Sequence, residues 1–592
     1  MITDPDLVSI QEVRGKVEQA WSAWTRYRLF TQAKIDAIVE AVASAARDQA
    51  QRLAELAVQE TGYGNAADKF AKNMLAADVL PRRMRGMRTV GVLRENVEGI
   101  VEIGEPVGVV AAVLPTTNPT STAIYKTLIA LKAGNAIVLS PHPRARACSC
   151  ETAAILATAA QHAGAPEGLV GCIGTSTASS SIAATNELMR HRRTAVILST
   201  GGSGIVHAAY SSGKPAFGVG PGNVPVLLDT SADIHRAVAG IIQGKSFDYG
   251  TLCSSEQTVV AERSLREKII AAFKSRKAFF ADAAQTAALE RLLIMRNFAI
   301  NPECVGQPAQ KIAHMAGFEI PADAPIIIVE IGGIGRGHPL SAEKLSPVLS
   351  LYFVDNFAAA LDACEAVLRF GGLGHTCGIY ATDDARIREY ALRMPAYRVV
   401  ANTSTPHGST GLTTNVFPAM TLGCGAIAGN STSDNIGPLH LINIKRLAYD
   451  RANPTRQGGD SESSNPARQG GDSESPNPTR QGGDSVLSSN PTRQGGGSVA
   501  DRSEIAAAVE RYLARRTVTS PSVTSTSLPA PSAPSAPTLA TPEPTLVDFV
   551  CEDDVRQAIR DSRKIFIGPK AIVTPSARDL AGPHDILVLV KK

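Results

Sequence analysis

Cys253, in the run Gly250-Thr251-Leu252-Cys253-Ser254-Ser255-Glu256, follows Val219 by 34 positions, and Val219 lies in the glycine-rich run Gly218-Val219-Gly220-Pro221-Gly222-Asn223. A nucleophilic thiol forms a thioester at a carbonyl carbon, and a thioester passes readily to a second thiol, which makes cysteine better suited than serine to acyl relay. Asn118, in Leu114-Pro115-Thr116-Thr117-Asn118-Pro119, falls where a strand passes into a helix, and an amide there can donate to an oxyanion. His375, in Gly372-Leu373-Gly374-His375-Thr376, reads as a histidine in a glycine-rich loop that titrates near neutrality and helps deprotonate an incoming thiol. Thr200-Gly201-Gly202-Ser203 offers small residues that let backbone N–H groups approach phosphate. Taken singly, an Asn-Pro turn is structural, glycines are loop residues and a loop histidine bonds backbone. Their order along the chain gives them weight.

These groups need a scaffold. Two stretches of helical periodicity fill residues 8–61, and Ile35, Ile38, Val39, Val42 and Ala46 form one apolar stripe. From about residue 100, short apolar strands alternate with helices: 108–114, a helix after Pro119, 136–139, a helix at 146–163, 168–174 and 195–198. A second such block runs from 225–228 through 326–329 and 348–353 to 399–400. This alternation predicts an α/β fold of two doubly wound domains, each a parallel sheet covered on both faces. The first, 1–224, is expected to bind a dinucleotide and the second, 225–424, to carry the nucleophile. Residues 425–447 are expected to return to the first domain or to an oligomer interface.

The composition changes after residue 450. Asn453-Pro-Thr-Arg-Gln-Gly-Gly-Asp460 recurs at 465, 477 and 490, a period too short for a solenoid and too poor in apolar residues to stack. Residues 453–500 read as a disordered linker, and the Pro/Ser/Thr-rich stretch 517–545 as a second one. Between them 501–516 forms an amphipathic pattern, with Ile505, Ala508, Val509, Tyr512 and Leu513 on one face. An isolated helix of that length is marginal in water and calls for a partner. The last piece, 546–592, shows a helical pattern at Val550, Val555 and Ile559 and is small for an independent domain.

A formal charge of +4 over 592 residues, with acidic and basic groups interspersed, gives nucleic acid no basic stripe to bind. No apolar run approaches membrane-spanning length, and Met1-Ile2-Thr3-Asp4-Pro5 opens no secretory signal, so a cytoplasmic protein is expected. Nine scattered cysteines match neither a disulfide framework nor a zinc site, and no metal is expected.

Seven segments in order, Pro115–Pro119, Leu139–Pro143, Ser199–Ser203, Gly218–Asn223, the Cys253 run, Glu343–Pro347 and Gly372–Thr376, resemble the coenzyme-A-acylating branch of the aldehyde dehydrogenase superfamily across roughly residues 8–447. The resemblance implies that Cys253 is the nucleophile, and that Asn118 and the Cys253 backbone N–H form the oxyanion hole. It further implies that Pro115, Thr116, Ser140, His142, Thr200, Gly201, Gly202, Ser203, Gly220 and Glu343 lie along the cofactor, NAD, with coenzyme A as acyl acceptor. Glu343 matches the family's nicotinamide-ribose contact, although a glutamate before a strand is ordinarily just solvated. Ser140 and Pro143 replace a Lys and a Glu that contact the adenosine ribose in hydrolytic relatives, so the choice of NAD over NADP rests on the family.

Val219 stands where hydrolytic members carry the glutamate that activates water, which implies that the acyl group waits for coenzyme A. Short aldehydes, acetaldehyde or propionaldehyde, are the expected substrates, with sulfoacetaldehyde as an alternative and a hydrolytic enzyme or an inert assembly protein as competing readings. The tail resembles encapsulation peptides that carry enzymes into bacterial microcompartments, and Ile572–Asp579 resembles a stretch of microcompartment-associated enzymes. Shell proteins are therefore expected partners of 501–516, with the chain a homodimer or homotetramer.

Overall fold

The computed structural model describes residues 4–95, 99–174, 182–295 and 298–450, then 547–561, 563–573 and parts of 577–589. The expected repeat linker, the 501–516 helix and the 517–545 linker lie outside the described residues. The chain divides into two units, Met1–Ser463 and Ser464–Lys592.

The first unit opens with three helices, Pro5–Tyr27, Gln32–Asp48 and Ala50–Thr61, one more than the periodicity indicated. Asp4 caps the first by accepting from the N–H groups of Asp6 and Leu7, satisfying donors that a helix start leaves open. The stripe Ile35, Ile38, Val39, Val42 and Ala46 is buried, as its spacing requires.

Strands Val170–Cys172, Ala136–Ser140, Val109–Val113, Thr194–Thr200 and Ala216–Val219 lie side by side in that order, all parallel. Every residue of Val109–Val113 and Ala136–Ser140 is buried, because helices cover both faces of a parallel sheet and no polar face is needed. The chain builds outward from Val109–Val113 on one side, then re-enters on the other side at Thr194–Thr200. The reversal opens a crevice at the carboxyl ends of these two strands, where doubly wound sheets take ligands.

A seven-stranded parallel sheet follows, in the order Phe279–Phe280, Ile327–Glu330, Val348–Val354, Glu256–Glu262, Val224–Leu228, Gly374–Tyr380 and Ala396–Ala401. Late residues return to the first core: Ala419, Met420, Leu422, Ile436 and Leu441 pack into it. Ile442–Leu447 pairs antiparallel with Val101–Pro106, which also pairs with Gly91–Glu95.

In the second unit, strands Val547–Val550, Ile565–Val573 and Leu587–Leu589 form a parallel sheet, with helix Glu552–Arg560 between the first two. Val550 closes a strand instead of starting a helix, which corrects its place in the sequence pattern. It still shares a buried cluster with Val555, Ile565, Ala577, Ala581 and Ile586, so this short segment has a core of its own. Among the described residues no helix is long and apolar enough to cross a membrane, and no group of His, Cys, Asp and Glu could hold a metal ion.

Candidate active site

The amino ends of the seven-stranded sheet gather four of the singled-out segments. Gly222 and Asn223 precede Val224–Leu228, Cys253 precedes Glu256–Glu262, Glu343 precedes Val348–Val354, and His375 is the second residue of Gly374–Tyr380. The cysteine is aimed by a tight turn at Phe247–Gly250, in which Asp248 (φ 47°) and Tyr249 (φ 52°) both adopt the left-handed region. Such backbone is costly without glycine and persists where the surroundings over-determine it. Here Asp248 is held on every side. Its N–H donates to Asp68 Oδ2 at 2.7 Å, and its carboxylate accepts from Asn65 N, Lys69 Nζ, Lys72 Nζ and Thr251 Oγ1.

His375 Nε2 lies 3.2 Å from Cys253 Sγ, and its Nδ1 lies 3.0 Å from Thr376 Oγ1. Behind them, buried Arg398 donates to Thr376 Oγ1 and to the carbonyls of Gly374, Gly423 and Ser433. Burial and then Arg398 push the imidazole down to about 3, so His375 is neutral throughout the physiological range. The expectation that it titrates near neutrality is thereby corrected. Its residues also start a buried strand and not an open loop. Burial, with Glu343 and Cys424 adding negative potential, pushes the Cys253 thiol up to about 12. The free site thus holds a neutral thiol in contact with a neutral imidazole.

Glu343 is buried and not solvated, and its Oε1 accepts from Gly222 N at 3.2 Å. Burial raises its carboxyl to about 8. Asn223 ties the same run in place, its amide donating to the carbonyls of Ser341 and Val367 at 2.9 and 3.1 Å. Val219, two per cent exposed and within the same glycine-rich run, brings no carboxylate to its position.

Asn118 belongs to the other sheet, immediately before helix Pro119–Lys132. Its Oδ1 accepts from Lys72 Nζ at 2.5 Å, and its Nδ2 donates to Thr117 Oγ1 at 3.0 Å. Lys72 also reaches Asp248 and, at 3.3 Å, Thr251 Oγ1, two residues before Cys253. One buried network therefore joins the Asn118 turn to the Cys253 loop. Sequence reasoning missed Lys72, Asp248, Thr376 and Arg398. Two lysines three apart on helix Ala66–Met74 were the available sign of a shared charged face, whereas nothing local marks Arg398.

The remaining singled-out residues line the carboxyl edge of the five-stranded sheet. Pro115 is buried and Thr116 half-buried beyond Val109–Val113. Ser140 is buried, bonded to Thr185 Oγ1 at 2.9 Å, and exposed His142 accepts from Arg144 N. Thr200 pairs with Thr421 Oγ1 at 3.2 Å, and Gly220 follows Val219. Helix Ser203–Tyr210 starts at Gly202 without a side-chain cap, so its first N–H groups stay open, and Gly202 and Ser203 are exposed. An uncapped, side-chain-poor helix start beside a switch-point crevice fits the pyrophosphate of a dinucleotide.

Residues 2–281 match the model of the aldehyde dehydrogenase family. The chain is 42% identical over 448 residues to the bifunctional aldehyde-alcohol dehydrogenase AdhE of Escherichia coli K12, covering 75% of this chain and 50% of that one. It spans about half the length of this and of the other aldehyde-alcohol dehydrogenases it matches. An acetylating aldehyde dehydrogenase from Geobacillus thermoglucosidasius superposes with a TM-score of 0.74 at 49% identity, covering 76% of this chain and 98% of that one. A propionaldehyde dehydrogenase from Rhodopseudomonas palustris, solved with bound CoA and an acylated cysteine, gives 0.67 at 27% identity over 74% and 97%.

Proposed function

Because this chain belongs to the aldehyde dehydrogenase family, we propose that it oxidises a short aldehyde, NAD and coenzyme A together yielding acyl-coenzyme A, NADH and a proton. The observation that carries this reading is the Cys253–His375 contact at 3.2 Å with buried Val219, not a carboxylate, in the glycine-rich run beside it. Cys253 Sγ attacks the carbonyl carbon while its proton passes to His375 Nε2, and Asn118 Nδ2 steadies the oxygen as it gains charge. A nicotinamide dinucleotide along Pro115, Thr116, Ser140, His142, Thr200–Ser203, Gly220 and Glu343 supplies the hydride acceptor. The acyl group then sits on Cys253 as a thioester until the thiol of coenzyme A displaces it, with His375 handling that thiol's proton. Residues 1–224 with 425–447 serve the dinucleotide in this reading, and 225–424 the covalent chemistry.

Without coenzyme A, the enzyme is expected to release about one NADH per active site in a burst and then slow, because the thioester accumulates. Stopped-flow absorbance with acetaldehyde or propionaldehyde measures this. Steady conversion to the free acid at the full rate would move the enzyme to a hydrolytic reading. Glu343, whose charge reaches the Cys253 thiol and whose carboxyl is raised to about 8, would then be the base to examine.

The tail extends the proposal to a cytoplasmic microcompartment lumen, where shell proteins receive 501–516 as an amphipathic helix in an apolar groove. Changing Ile505, Val509 and Leu513 together to Ser keeps charge and length but removes that apolar face. This variant is expected to keep its turnover and to lose most of its co-sedimentation with shells. Undiminished co-sedimentation would shift the address to 546–592.

A further inference from the structure

Asn118 can steady an oxyanion only if its amide presents Nδ2, and not Oδ1, to the substrate. The two ends of a primary amide have nearly the same shape, so bonding partners alone decide which end faces which way. Lys72 decides it here. An ammonium group has three donors and no acceptor, so the amide atom 2.5 Å from Lys72 Nζ has to be the oxygen. Nδ2 is thereby turned away from the lysine; one of its hydrogens goes to Thr117 Oγ1 at 3.0 Å, and the other remains for a ligand.

The lysine head is itself clamped. Lys72 is two per cent exposed, pairs with Asp248 Oδ2 and lies 3.3 Å from Thr251 Oγ1. Asp248 in turn takes Thr251 Oγ1 at 2.6 Å and Lys69 Nζ at 3.1 Å, while Lys69 also donates to Thr117 O at 2.9 Å. The two residues that anchor Lys72 stand five and two positions before Cys253, so the same bonds that orient the amide also hold the loop of the nucleophile. An apolar side chain in this place would fill the space and avoid the desolvation of an ammonium group, yet it would leave the amide free to flip.

We propose that Lys72, clamped by Asp248 and Thr251, is a positioning residue that fixes the Asn118 amide with Nδ2 toward the reacting carbonyl and ties it to the Cys253 loop. The inference rests on the reading of Asn118 as the oxyanion donor, and the test separates the two. Lys72→Met, Asn118→Ala and the double variant are compared with the parent enzyme in steady-state kinetics with propionaldehyde, NAD and coenzyme A. Removing Lys72 leaves Lys69 paired with Asp248, so no lone charge is buried. Lys72→Met and Asn118→Ala are each expected to lower kcat by about 10²-fold, with KM for the aldehyde changed less than about threefold, and the double variant is expected to match Asn118→Ala alone. Lys72→Gln, which keeps an N–H donor for Oδ1, should recover to within about tenfold of the parent. If Lys72→Met fails to fold, Lys72→Ala, which leaves room for water beside Asp248, takes its place in the cycle.

A Lys72 variant lacking the donor that keeps full kcat would overturn the proposal. So would a double variant that loses the product of both factors, since Lys72 would then act independently of Asn118. An Asn118→Ala enzyme at full rate would instead sink the oxyanion reading, and the role of Lys72 with it.

Discussion

Cys253→Ala is expected to remove NADH formation and acyl transfer together, by about 10⁴-fold or more, because both halves of the proposed reaction would pass through one covalent bond to Sγ. No neighbouring thiol can stand in. Cys424 lies close enough to raise the Cys253 thiol, but it is itself buried, pushed up to about 11 and bonded to the Leu422 carbonyl. Cys377 points from the same strand as His375, yet is fully buried and raised to about 12. The fold should survive the change, since Cys253 is only partly buried and its removal leaves the Asp248 network and the Arg398 bonds in place. Intact-protein mass measurement after exposure to propionyl-coenzyme A makes the test direct. The parent is expected to gain one acyl group and the variant none, while dinucleotide binding by the variant stays within a few-fold of the parent. Acylation of the variant, or turnover within tenfold of the parent, would move the nucleophile elsewhere.

Several of the strands that sequence alone located are buried on both faces, although Ala396–Ala401, located through Val399 and Val400, has exposed residues. Val109–Val113 and Val224–Leu228 are continuous apolar runs, and Ala136–Ser140 and Val348–Val354 carry one serine each, a pattern that a helix-covered parallel sheet selects for. Three strands of the seven-stranded sheet escaped, Glu256–Glu262, Gly374–Tyr380 and the two-residue Phe279–Phe280. Glu256–Glu262 and Gly374–Tyr380 carry Glu256, Gln257, Thr258, His375 and Thr376, all buried, because these strands end at the site and exchange apolar residues for chemistry. Local polarity therefore hid elements that tertiary structure buries. Antiparallel pairing of Val101–Pro106 with Ile442–Leu447 joins residues more than three hundred positions apart, and no local pattern could announce it.

The site was legible where a residue type has a fixed chemical use. Cys253, His375 and Glu343 all pack around Gly222, whereas their electrostatics did not follow from residue type. A loop histidine is expected from its type to titrate near neutrality, and a glutamate before a strand is ordinarily solvated; burial instead holds the first neutral and raises the carboxyl of the second to about 8. The residues that orient the others, Lys72, Asp248 and Arg398, act through bonds to carbonyls and amides distant in sequence. Their types are common on any surface, so only the fold reveals them.

Gly222 shows how tightly that convergence is packed, and Gly222→Ala is expected to cost about 10²-fold in kcat. A Cβ built there would lie 2.3 Å from the Cys253 carbonyl oxygen and 3.0 and 3.1 Å from two ring carbons of His375. The first contact is with backbone, so it cannot be relieved by rotating a side chain. Either the cysteine loop or the glycine-rich run must move, and a displacement approaching an ångström at a reacting centre costs rate on this scale. Movement of the run would also lengthen the bond from Gly222 N to Glu343 Oε1, now 3.2 Å, and loosen the carboxyl whose charge bears on the thiol. Overpacking of this kind lowers stability by about 1–3 kcal/mol, a modest shift in a thermal melt. The distinguishing readout is the thiol itself: alkylation of Cys253 by iodoacetamide should change several-fold between parent and variant at fixed pH, because the Sγ–His375 contact is what the methyl group disturbs. Parental kcat together with parental alkylation would mean that Gly222 does not abut Cys253 and His375, and their geometry would have to be redrawn.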